Sequence, residues 1–149
     1  MTFIVKNSGI SWLTSDWHMG HAAINNFTNN DGSKLRPFNS LDEMHESIID
    51  NHNKVVKPND TVYVLGDVAI NRKSLPLISR FNGKKILIFG NHDNFGYQEY
   101  SKYFEDMKAY HYFGGENIIC SHIPIAKDSK ARFNMNVHAW TFITRFVLL

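Results

Sequence analysis

Four short apolar runs, each broken off by a polar cluster, set the pattern of this chain. Ile10 to Ser15, Thr61 to Leu65, Lys85 to Phe89 and Asn117 to Cys120 have strand length, and the middle two are rich in β-branched or aromatic residues. The clusters that end them are Asp16-Trp17-His18, Gly66-Asp67, Gly90-Asn91-His92-Asp93 and Ser121-His122. Between the first two runs, Leu41, Met44, Ile48 and Val55 fall close to helical spacing, and Ser40 with Glu43 three residues on forms a capping box, so this segment is predicted as a helix. Asn71 to Phe81, with Leu75, Leu77, Ile78 and Phe81, is a weaker helix in which Pro76 belongs in the first turn.

Alternating strand and helix predicts an α/β fold. In such folds the carboxyl ends of the strands converge on one rim, where ligands bind. Four strand ends carrying Asp, His, Asn and His therefore predict a site on that rim. The polar segment Asn25 to Ser40 reads as an ordered loop near it.

Composition narrows the class. The 149 residues, 43% hydrophobic, suit one domain spanning 1–149. Lys+Arg number 16 against 14 Asp+Glu, so the charge gives no basic stripe, and nucleic acid is not indicated as a partner. Cys120 is the lone cysteine, which rules out an intramolecular disulfide or a zinc finger and suits a reducing, cytoplasmic setting. No apolar run nears the roughly 18 residues of a membrane span, so no membrane partner is expected. The first residues lack the layout of a signal peptide.

Oxygen and imidazole donors without thiolates suit Mn²⁺, Fe, Ni²⁺, Co²⁺ or Zn²⁺. Asp16 and His18, two apart, point the same way if the chain is still extended, and the residue between them, Trp17, points away from any ion. Gly66 lets the backbone turn sharply so that Asp67 can reach and bridge two ions, and Gly90 does the same for Asn91 and His92.

The ordered set SDWHMGH, LGD, GNHD and SHIP, with RPF at Arg36 to Phe38, resembles the calcineurin-like metallophosphoesterase family, particularly its short bacterial and phage-type members. The resemblance runs from Ile10 to about His138. It implies a β-sandwich of mixed sheets flanked by helices, and hydrolysis of a phosphodiester or phosphomonoester with two divalent ions, Mn²⁺ first among them. It implies that Asp16 and His18 hold one ion, Asp67 bridges, and Asn91 and His122 hold the second. It also implies that His92 is the catalytic histidine, with Asp93 orienting its ring, and that water activated by both ions attacks phosphorus in line. A nucleotide or other small phosphoester is the expected substrate. His21 reads equally as a phosphate neighbour or a loop histidine, and Arg36 as a phosphate ligand or an exposed arginine.

The family's closing Gly-His-x-His is missing. With His138 matched to the histidine that precedes that motif, Ala139 replaces glycine, and Trp140 and Phe142, which cannot ligate a divalent ion, stand at the ligand positions. His138 then remains as a substrate contact or a replacement ligand. The tail beyond it is expected to be a frameshifted or truncated metal-binding end, FITRFVLL being apolar enough to pair as a strand. The rival to an enzyme is accordingly a metallophosphoesterase relic acting as a binding or regulatory module. His45, His52 and His111 are expected to be structural or solvated, Trp12, Trp17 and Trp140 to pack, and Cys120 to be buried.

Overall fold

The computed structural model describes residues 3–6, 10–129 and 133–139; Trp140, Phe142 and the FITRFVLL tail lie outside the described residues. Among the described residues, eight strands form two sheets. The larger holds β1 (Phe3–Lys6), β2 (Ile10–Thr14), β3 (Thr61–Val64), β4 (Lys84–Ile88) and β5 (Asp106–Lys108) in that order. Strand β1 runs antiparallel to β2, and β2 through β5 are parallel. The smaller sheet has β6 (Tyr110–Phe113), β7 (Ile118–Ser121) and β8 (Met135–His138), with β6 antiparallel and β8 parallel to β7.

Side-chain alternation assigns each face of the larger sheet a different partner. Leu13, Tyr63, Leu65 and Ile88 meet Phe113, Cys120 and Ala139 of the smaller-sheet layer, so the two sheets pack as a sandwich. Val62, Val64 and Leu87 face the other way, into a core with Ile49, Leu75, Ile78, Phe81 and Tyr100 from the helical layer. The fold is thus the expected α/β sandwich of mixed sheets flanked by helices, with Cys120 fully buried in it.

Helix α1 (Leu41–Val55) begins where the capping residues place it. Ser40 Oγ accepts from Glu43 N at 3.0 Å, while the Glu43 carboxylate accepts from Asn39 N, one residue before the cap. Its buried face differs from the predicted one: Met44, His45 and Ile49 are buried, and Val55 is 44% exposed. Val56, the residue after the helix, goes into the core instead. The segment Arg72–Arg80 forms as a 3₁₀ helix with Pro76 inside it, capped by Asn71, whose side chain accepts from Ser74 N. A short second helix, α2 (Tyr97–Tyr100), delivers the buried Tyr100. Among the described residues no helix is long and apolar enough to cross a membrane.

Candidate metal centre

Because β2, β3 and β4 are adjacent and parallel, their carboxyl ends lie side by side, and the segments leaving them keep running together. Asp16 N donates to Gly66 O, His18 N to Asp67 O and Met19 N to Val68 O. These bonds hold the first two ligand loops in parallel beyond the last strand residue. The backbone is not extended there, as the i, i+2 argument assumed: Asp16, His18 and Asp67 sit at φ of 55°, 49° and 57°. The two side chains converge through left-handed turns, a conformation more accessible to Asp and His than to bulkier or β-branched residues. Trp17 faces the core as expected, stacked on Phe81 at a centroid distance of 3.9 Å and donating to Thr14 Oγ1.

Two glycines make room for Asp67 in different ways. Gly66 has φ 82°, and a Cβ there would lie 2.6 Å from the Gly90 backbone. Gly90 lies outside the left-handed region; a Cβ on it would stand 2.3 Å from Asp67 Oδ1, so it is required for close approach instead of for turning.

Asp67 is completely buried at the centre of the cluster. His18 Nε2 lies 3.5 Å from Asp16 Oδ1 and 3.7 Å from Asp67 Oδ2, and Asp67 Oδ2 has no hydrogen-bond partner. On the opposite side, Asp67 Oδ1 faces His122 Nε2 at 3.6 Å and accepts from His92 N. Asn91 Oδ1 comes within 2.8 Å of the same His122 nitrogen. His122 itself is fixed by Leu65 O, 2.8 Å from Nδ1.

This donor set fits divalent cations. Two atoms each roughly 2.1 Å from one ion lie about 3.0–3.5 Å apart at ordinary ligand angles, close to the spacing of Asp16, His18 and Asp67 but too long for strong hydrogen bonds. An unpartnered carboxylate oxygen in a fully buried position is costly unless a positive charge meets it. The Leu65 carbonyl requires a proton on His122 Nδ1, which leaves Nε2 of the neutral ring as an acceptor facing the acceptor Asn91 Oδ1. A cation held by both atoms removes the repulsion.

The exposed His92 ring lies 5.7 Å from the His18 ring, at the mouth. The hydrogen bonds of the Asp93 carboxylate go to backbone N–H groups and to Tyr100 instead of to the His92 ring. Asp93 Oδ2 accepts from Asp67 N and Gly90 N, both at 2.8 Å, and its Oδ1 from Val68 N at 3.0 Å and Tyr100 Oη at 3.4 Å. The carboxylate is thereby committed to the backbones of two ligand loops. Burial pushes it above the usual carboxylate range, against the pull of its three backbone donors.

Arg36 is half-buried, with its guanidinium on the carbonyls of Asp16 and Trp17. His21 holds its ring 5.6 Å from that of His18, the planes tilted by 42°, and its Nδ1 is buried without a hydrogen-bond partner; burial, with His18 nearby, lowers its pKa. His138 lies beside Ser121 in the β7–β8 register, and its Nδ1 contacts Ala139 O.

Two supports are absent from the sequence expectations. His45, expected only as structural or solvated, supports the site loop: its buried Nε2 accepts from Gly20 N at 2.9 Å, in the loop that follows His18. Tyr100 reaches Asp93 from α2. A histidine beside Met44, near the apolar stripe of a predicted helix, is a signal for the first; nothing local signals the second.

The chain resembles several known proteins over part or most of its length. Over 89 residues the chain is 39% identical to MJ1445 of Methanocaldococcus jannaschii, a match covering 57% of this chain and 47% of that protein. Over 88 residues it is 32% identical to the Gene 66 protein of Mycobacterium phage L5, covering 56% and 39%. The matches thus span less than half the length of these curated relatives. The crystal structure of the Aquifex aeolicus protein AQ665, described as of unknown function, superposes with a TM-score of 0.58 at 28% identity, covering 82% of this chain and 67% of that one. The calcineurin-like phosphoesterase family model matches residues 11–147, strand ends and ligand loops included, and the chain belongs to that family.

Proposed function

We propose that the chain is a metal-dependent phosphoesterase with a dinuclear centre, acting on a small phosphodiester or phosphomonoester such as a nucleotide. The observation that carries this reading is the division of Asp67: Oδ2 faces Asp16 and His18, while Oδ1 faces His122 beside Asn91. Asp16, His18 and Asp67 would hold one ion, and Asp67, Asn91 and His122 the other. Mn²⁺ is the first choice for such a set, with Fe, Ni²⁺, Co²⁺ or Zn²⁺ as alternatives. When bound, the ions supply Lewis-acid polarisation of the phosphoryl oxygens and activation of water.

His92, whose exposed ring lies 5.7 Å from that of His18, would protonate the oxygen leaving phosphorus. Asp93 serves it indirectly, through the loops it ties together. His21 and His138 remain candidates for contact with the substrate. Arg36 is a weaker candidate, its guanidinium being committed to backbone carbonyls.

The test pairs metal content with turnover. After Mn²⁺ loading, the wild type should carry two ions per chain and hydrolyse bis(p-nitrophenyl) phosphate or p-nitrophenyl phosphate. His92→Ala should keep both ions and lose about 10²–10⁴ in kcat, the usual contribution of a positioned proton donor. Fewer than two ions, or turnover indifferent to His92, would refute the reading.

A further inference from the structure

We propose that Arg36 is a positioning residue for one half of the metal centre: it holds the Asp16–His18 loop in its ligand-presenting turn and leaves the Asn91–His122 half untouched. The proposal rests on the dinuclear reading above.

In an extended strand, successive carbonyls point to opposite sides, so one guanidinium cannot take both. Here Asp16 is left-handed, and the carbonyls of Asp16 and Trp17 both receive the Arg36 fork, Nη2 donating to the first and Nη1 to the second at 2.9 Å. The contact exists only while the loop is turned, and that turn sets where the Asp16 carboxylate and the His18 ring point. Arginine suits the task because its donors are planar, rigid and permanently charged.

The Arg36 side chain is itself held, with Nη1 3.6 Å from the sulfur of the fully buried Met44. The far end of the same loop is fixed separately: His45 accepts from Gly20 N, and Asn71 Nδ2 donates to Gly20 O. The other ligands have different supports. Leu65 O fixes His122, and Asp93 ties the backbones of Asp67 and Gly90. Removing Arg36 therefore loosens one ligand pair and spares the other.

Groups that orient metal ligands typically contribute 10–100-fold in affinity. The experiment is a Mn²⁺ binding isotherm on the whole metal-stripped chain for wild type, R36M, R36K and K85M. Lys85 is the matched control: a buried cation that likewise donates to two carbonyls, Phe81 O and Gly83 O, away from the centre.

In R36M one of the two affinities should fall 10–100-fold while the other stays within twofold. R36K, whose ammonium cannot span both carbonyls in one plane, should lose less at the same ion. K85M should keep both affinities even where its melting temperature drops. R36M or R36K equal to wild type at both ions overturns the proposal. So does an equal loss at both ions that tracks melting temperature across R36M and K85M. The wild-type isotherm reads the dinuclear proposal by itself. If it shows a single ion, that reading fails, and the Arg36 proposal stands or falls on whether that ion weakens in R36M but not in K85M. If it shows none, both fall.

Discussion

Gly90 approaches Asp67 so closely that a methyl group on its Cα would stand 2.3 Å from Asp67 Oδ1 and 2.7 Å from Asp67 N. The fully buried carboxylate is thus positioned against bare backbone.

Gly90→Ala should therefore displace Asp67 or push the loop after β4 away from it. The overpacking cost is expected at about 1–3 kcal/mol, and Mn²⁺ binding should weaken at both ions of the proposed dinuclear centre, in which Asp67 would serve both. Urea unfolding and a binding isotherm on the same variant check this; unchanged metal affinity would contradict the packing argument.

Asp93→Asn should destabilise the fold by about 1–3 kcal/mol, because the new amide group must face backbone N–H donors that now meet carboxylate oxygen. Tyr100→Phe should cost about 1 kcal/mol or less, its hydroxyl lying 3.4 Å from Asp93 Oδ1. Chemical denaturation of the two variants side by side tests the ranking.

Acid should destabilise the metal-free chain. Burial lowers the pKa of His45, His52 and His111 from the ordinary 6.5, so the folded state binds fewer protons than the unfolded chain as pH falls through that value. Stability is full above 6.5 and declines below it. The urea midpoint measured in chelator from pH 8 to pH 5 should fall below about pH 6.5, and His52→Gln should flatten part of the decline. A midpoint independent of pH across this range would refute the buried-neutral assignment.

Burial pushes the Cys120 thiol up to about 12. A thiol reagent at pH 8 should leave the folded chain unlabelled and label one group per chain in denaturant. Rapid labelling under native conditions would show that the interface between the two sheets opens.

The strands that lead to the proposed ligands are legible in the sequence because they are central, largely apolar and each cut off by a polar cluster. The others are not. Strand β5 is three residues with charged Asp106 and Lys108, β6 reads only as an aromatic stretch, and β8 is half polar. Strands β5 and β8 pair in parallel with strands that a crossover separates from them, and β6 is defined by its hairpin with β7. The ligand types were visible, but not the left-handed turns at Asp16, His18 and Asp67, which depend on bonds to a second loop about fifty residues away. For the same reason Arg36 read as a phosphate ligand or an exposed charge: its acceptors are backbone carbonyls, invisible to residue type.

The backbone bonds that tie Asp16, His18 and Met19 to residues 66–68 also divide the chain by its tolerance of length change. One residue added between Leu13 and Met19 would slip every subsequent pairing and carry a ligand to the wrong side. The tip at Asn30, Asp31 and Gly32 is exposed, and Gly32 has open space around it. New sequence would therefore be accommodated at that tip, which makes it the natural place to graft a tag, a label or a second recognition element without disturbing the centre.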